Sequence, residues 1–222
     1  MSAKLLPSDP NKRSILAQLN DSLESATNLY ASVCFWSIGP GVLSHHLERV
    51  LAQSGSFCIA DIHCPTNVDK LAQFHDLGVT KLYLFFKEIQ PKKLEAHLQR
   101  HLLHTKMLLI DLPDNRAELW VGSHNFTKQA LKGINREATL VIPYYKDDVL
   151  YTQAQRYFSS ILQDSDCRQF DPNLLDTYKE LQGLPKEEVE SGPYILPLAW
   201  DSTEWPTPAT LEREDNYLSV NQ

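Results

Sequence analysis

Apolar residues recur along this chain in two alternating rhythms. Ile15, Leu16, Leu19 and Leu23 fall at helical spacing across residues 12–24, whereas Leu29–Ile38 (LYASVCFWSI) is continuously β-branched, aromatic or small, as a buried strand is. Gly39-Pro40-Gly41 ends that run. Leu43, Leu47, Val50 and Leu51 then share one helical face, and residues 57–62 (FCIADI) read as a second strand. Pro65 and Thr66 open a third helix that reaches Leu77 and stops at Gly78, and residues 79–86 (VTKLYLFF) follow as a third strand. Helix and strand alternating in this way predict strands that run parallel, with helices packed on the sheet faces.

Beyond residue 100 the alternation changes. Residues 102–112 (LLHTKMLLIDL) and 118–121 (ELWV) read as two strands joined by Pro113-Asp114-Asn115, a hairpin signal. A short helix over 128–132 ends at Gly133, residues 136–144 (REATLVIPY) form a further strand, and helices are predicted over 147–163 and 173–182. The expectation is an α/β fold whose mixed, mostly parallel sheet is flanked by helices. One domain covers residues 1–183. Residues 184–222 carry five prolines beside Tyr194, Trp200 and Trp205, which predicts an extended strap lying on a protein surface.

Charge changes this picture in one respect. The net charge is −7, unfavourable for a nucleic-acid partner, but two basic against eight acidic residues place −6 of it between Lys186 and the C-terminus. From Lys87 to Glu137 nine basic residues outnumber six acidic ones, and Lys87, Lys92, Lys93 and Arg100 could follow a phosphate backbone or serve as a solvated loop. No apolar run approaches the roughly 18 residues a membrane span needs, and the N-terminus lacks a signal-peptide pattern, so a cytoplasmic protein is expected. Cys34, Cys58, Cys64 and Cys167 lack paired spacing and read as reduced core thiols. Cys58, His63 and Cys64 with His45 or His46 do not have the ligand spacing of a zinc site.

The chemistry concentrates in two short stretches. In His104-Thr105-Lys106 strand alternation would put the imidazole and the ammonium on one face about 7 Å apart, pairing a nucleophile with a fixed cation. Gly122-Ser123-His124-Asn125 follows a strand, where glycine admits a close backbone approach and Ser123 and Asn125 supply neutral donors for an oxyanion. Glu137 could accept a hydrogen bond from an imidazole and fix its tautomer. Histidines 45, 46, 63, 75, 97 and 101 read as surface or core residues, with His101 the nearest to the site.

HTKMLLID followed by GSHNFTKQALKGINREATLVI resembles the HxKxxxxD and GSxN motifs of the phospholipase D superfamily, and is most similar to its small, single-motif bacterial endonucleases. The resemblance implies a phosphodiesterase, a nuclease acting on DNA or RNA. It makes His104 the nucleophile, Lys106 and Asn125 the phosphate ligands, Ser123 their support, Glu137 the group that orients His104, and Asp111 and Gly122 structural. His124 is expected either as a substrate contact or as an exposed loop histidine. The gap between Asp111 and Gly122 is longer than the family pattern and reads as an extended turn. Family chemistry needs two histidines, and this chain has one motif. A homodimer joined through the active-site face is therefore expected, with nucleic acid as the partner and neither metal nor cofactor. A lipid phosphodiesterase and a non-catalytic nucleic-acid-binding module of the same fold are the alternatives, and membership of a larger complex stays open.

Overall fold

In the computed structural model, which describes residues 2–7, 15–86 and 102–182, eight strands join one mixed sheet. In chain order the elements are β1 (Lys4–Pro7), α1 (Ile15–Ser25), β2 (Asn28–Val33), α2 (His46–Leu51), β3 (Phe57–Asp61), α3 (Val68–Asp76), β4 (Leu82–Phe85), β5 (Lys106–Asp111), β6 (Arg116–Gly122), α4 (Lys128–Leu131), β7 (Ala138–Tyr145), α5 (Val149–Leu162), β8 (Cys167–Gln169) and, after a 3-10 turn at Pro172–Leu174, α6 (Leu175–Gln182). The spatial order is β1-β7-β6-β5-β2-β3-β4-β8.

The α/β class and the mixed sheet are as the hydrophobic pattern predicts. The balance of strand directions is not. Only β2–β3 and β3–β4 pair in parallel, while the other five neighbouring pairs are antiparallel. Strict helix–strand alternation, which forces parallel crossovers, stops at β4. From β5 the chain turns back in hairpins, and β5 docks against β2 in the opposite direction. Two edge strands, β1 and β8, escaped the sequence pattern because four and three residues are too few to show a period.

Local chemistry explains the element ends. Asn67, Thr127 and Asp148 cap α3, α4 and α5 by accepting from Lys70, Ala130 and Leu150 backbone N–H groups. The β5–β6 hairpin turns through Asp114 and Asn115, both at φ 59°, the left-handed pair that a tight hairpin requires. One face of the sheet packs α1, α2, α3 and α6 around Trp36, Phe74 and Trp120, and the other packs α5 through Tyr151, Ala154 and Phe158. Side-chain alternation along β5 divides it accordingly, Leu108 and Ile110 to the first core and Leu109 to the second. Residues 87–101 and the proposed strap over 184–222 lie outside the described residues, as do His97, His101 and the basic residues Lys87, Lys92, Lys93 and Arg100.

Candidate active site

At one rim of the sheet β2, β3, β4 and β6 end while β5 and β7 begin, since Val33 pairs with Lys106 and Gly122 with Thr139. Both motifs meet there. His104 is not on a strand, as alternation predicted, but in the segment that leads into β5, which begins at Lys106. The two side chains nevertheless converge. Lys106 Nζ lies 3.0 Å from His104 Nε2. An ammonium has no lone pair, so His104 Nε2 is the acceptor and the imidazole is neutral with its proton on Nδ1. Burial and the Lys106 charge hold His104 below the usual histidine range, against a smaller upward pull from Asp61. Burial also lowers Lys106, with Cys34 and Glu137 acting against it.

Asn125 is fixed by its carbonyl. Its Oδ1 accepts from Phe35 N at 3.1 Å, which leaves the amide NH2 as the group to donate. The surrounding loop is stitched to residues 35–37 by Phe126 N to Phe35 O at 3.0 Å and Ser37 N to Phe126 O at 2.8 Å, over the packed rings of Trp36 and Phe126, whose centroids are 4.7 Å apart. Thr127 then caps α4. The order of polar and apolar residues in SHNFT thus anchors the loop on both sides of the amide.

Ser123, Glu137 and His124 make their contacts within the chain. Ser123 donates to Glu137 Oε2 and accepts from Ala138 N at 3.1 Å, and Asn135 Nδ2 reaches Glu137 Oε1 at 3.4 Å. Within one chain Glu137 therefore holds Ser123 and makes no bond to His104. His124 is neither an exposed loop residue nor an open substrate contact. It is 1% exposed, hydrogen-bonded through Nδ1 to Thr139 Oγ1 and set edge-on to Trp120, and burial followed by the Lys106 charge lowers it to about 4. Gly122 is required by the protein itself, because a Cβ there would overlap the Ala138 carbonyl and Thr139 of β7.

Asp111 sits at the opposite rim, five residues and so roughly 16 Å along β5 from Lys106. Its buried carboxylate accepts from Tyr151 OH at 3.0 and 3.2 Å and pairs with Lys146 Nζ at 3.2 Å. The sequence reading missed Asp61, Ser32, Phe35 and Thr139, which support the site from behind. Asp61 carried a signal, an acid inside the apolar strand FCIAD. Of the cysteines, Cys34 and Cys58 are buried, whereas Cys64 is exposed and not a core residue. Among the described residues no group of three or more His, Cys, Asp or Glu side chains could hold a metal ion.

Residues 68–162 match the family described as "Cardiolipin synthase, PLD-like domain". Among solved structures the chain is similar to NucT from Helicobacter pylori, with a TM-score of 0.55 at 18% identity over 76% of this chain and 99% of that one. It is similar also to the phospholipase D family member Nuc from Salmonella typhimurium, with a TM-score of 0.51 at 16% identity over 76% and 97% of the two chains. Phosphatidylserine synthase from Haemophilus influenzae gives a TM-score of 0.54 at 14% identity, over 85% of this chain and 44% of the synthase. Comparison with curated protein sequences gave no match. Both comparisons agree with the resemblance read from the two motifs: the stretch that holds them matches a phospholipase D-like family, and the chain shares its α/β fold with NucT and Nuc.

Proposed function

We propose that this chain is a metal-independent phosphodiesterase, a nuclease that cleaves DNA or RNA at a site shared by two copies of the chain. The observation that carries the reading is the contact of His104 Nε2 with Lys106 Nζ at 3.0 Å, at the same rim as an Asn125 amide whose oxygen is tied down. A phosphodiester entering there would take the ammonium and the amide NH2 as ligands. That frees the Nε2 lone pair, and the lowered basicity of His104 keeps it available near neutral pH.

In the proposed reaction Nε2 attacks phosphorus, a P–N bond forms, and the P–O bond to the leaving group breaks. The leaving oxygen takes a proton from the imidazolium of the partner subunit's His104. That imidazole, now neutral, removes a proton from water. The hydroxide oxygen attacks phosphorus, the P–N bond breaks, and both histidines return to their starting states. Two identical residues must hold opposite protonation states, so the rate should follow a bell-shaped pH profile that belongs to the pair. Lys106 of both copies supplies the positive charge otherwise taken from a metal ion.

The family description and the phosphatidylserine synthase likeness favour a second reading, a phospholipid phosphodiesterase. Against it stand the single motif and the absence, among the described residues, of a helix long and apolar enough to cross a membrane. Incubation of the pure protein with single- and double-stranded DNA, RNA and phospholipid vesicles in excess EDTA separates the readings. Nucleic-acid cleavage by the parent, lost in His104→Ala, is the expected result. Cleavage confined to the vesicles, or equal cleavage by His104→Ala, refutes the nuclease reading of this site.

A further inference from the structure

The nucleophile sits on no regular element, yet its imidazole is held against Lys106. Each of its two sequence neighbours is tied to a buried polar side chain. On one side Leu103 N donates to Asp61 Oδ2 at 2.9 Å, and the Leu103 side chain packs with Ile59, Phe85 and Ile161. On the other, Thr105 Oγ1 shares a hydrogen bond with Ser32 Oγ on β2. Asp61 and Ser32 are both fully buried.

Asp61 is unusual for a core residue. It ends β3, its N–H is spent on Cys34 O at 3.0 Å, and its other oxygen, Oδ1, accepts from both the N–H and the ring Nδ1 of His63. A carboxylate is expensive to bury, and it is retained here at the end of an apolar strand. Both oxygens must accept at once, which an asparagine side chain cannot do. The negative charge also opposes that of Lys106 at His104.

We infer that Asp61 and the Ser32–Thr105 hydroxyl pair are positioning groups that bracket His104, holding its imidazole in the orientation that in-line attack on phosphorus demands. The inference rests on the reading of His104 as nucleophile. It assigns Asp61 no contact with substrate. Displacement of a reacting group by about 1 Å lowers turnover by about 100-fold, so the bracket should be visible in kcat and not in substrate affinity.

Two variants test it on the full chain. Asp61→Asn is nearly isosteric but presents an NH2 where Leu103 N or His63 needs an acceptor, and it is expected to lower kcat about 100-fold with KM close to the parent. Thr105→Val keeps the shape and removes one hydroxyl, and it is expected to lower kcat about tenfold, again with KM unchanged. A second readout does not depend on activity. NMR titration of the His104 ring, assigned by its loss in His104→Ala, should move to lower pH in Asp61→Asn, since the carboxylate no longer offsets Lys106, and should stay in place in Thr105→Val. The groups governing that titration are Asp61 and Lys106, with Glu137 acting on Lys106. Simple loosening of the fold would not separate the two variants in this way.

A folded Asp61→Asn protein with parental kcat, or with an unmoved His104 titration, overturns the proposal. If Asp61→Asn does not fold, Thr105→Val decides, and parental kcat in that variant refutes the bracket. Should the parent cleave no phosphodiester at all, the nuclease reading fails by itself, while the NMR titration still reports whether Asp61 governs His104.

Discussion

Replacing Asp111 by alanine should unfold this protein more easily while leaving its chemistry intact. The carboxylate is 3% exposed, takes the Tyr151 hydroxyl on both oxygens and pairs with Lys146. Burial and then Asp111 push the Tyr151 phenol up, so it is a protonated donor at all working pH values. In Asp111→Ala that buried hydroxyl loses a charged acceptor, at about 1.5–3 kcal/mol. Lys146 is about a quarter exposed and can turn to solvent, adding up to about 1 kcal/mol. The sum, about 3 kcal/mol, corresponds to a fall in Tm of about 6–12 °C for a chain of this size. Thermal and urea unfolding followed by circular dichroism measure the loss, and kcat determined well below the transition measures the chemistry. Because Asp111 lies roughly 16 Å from Lys106 along β5, kcat should equal that of the parent. A parental Tm, or a folded variant as inactive as His104→Ala, would refute the assignment of Asp111 to the architecture.

Asn125→Asp can keep its bond to Phe35 N but turns the remaining donor into a charged acceptor facing the phosphate, so kcat/KM should fall about 100-fold or more with an unchanged Tm. Steady-state kinetics beside a melting curve check it. His124 is buried neutral, with its basicity lowered to about 4. The unfolded chain therefore binds a proton that the native state refuses, and stability should fall as pH drops from about 6.5 towards 4, by about 2 kcal/mol at pH 5. Urea unfolding of the parent and of His124→Gln at pH 7 and pH 5 tests this, the variant losing less. If every site needs both histidines, a fully exchanged equimolar mixture of parent and His104→Ala should keep roughly a quarter of the parental activity. Half would mean that each chain works alone.

The sequence displayed the residues proposed to react more plainly than their supports. His104, Lys106 and Asn125 stand in two motifs whose order and spacing need no structure to notice. Their scaffold is non-local. Asp61 reaches Leu103 across 42 residues, Asn125 reaches Phe35 across 90, and neither pairing leaves a periodic trace. His124 misled for the same reason, since only the folded sheet brings Thr139 and Trp120 over it. In the fold, α1, α3 and α5 were legible because their buried faces recur at helical spacing. Strand direction was not, because a buried strand reads alike in a parallel or an antiparallel pair, and only the short turn at Asp114 and Asn115 marks a reversal.

The central claim, that one imidazole becomes covalently bonded to phosphorus, is tested most directly by trapping the intermediate. Substrate mixed with the protein in excess EDTA, quenched in alkali and analysed by peptide mass spectrometry, should yield an acid-labile, base-stable phosphoryl adduct on His104 that is absent from His104→Ala. Turnover with no such adduct at any time, or an adduct on another residue, would contradict the account.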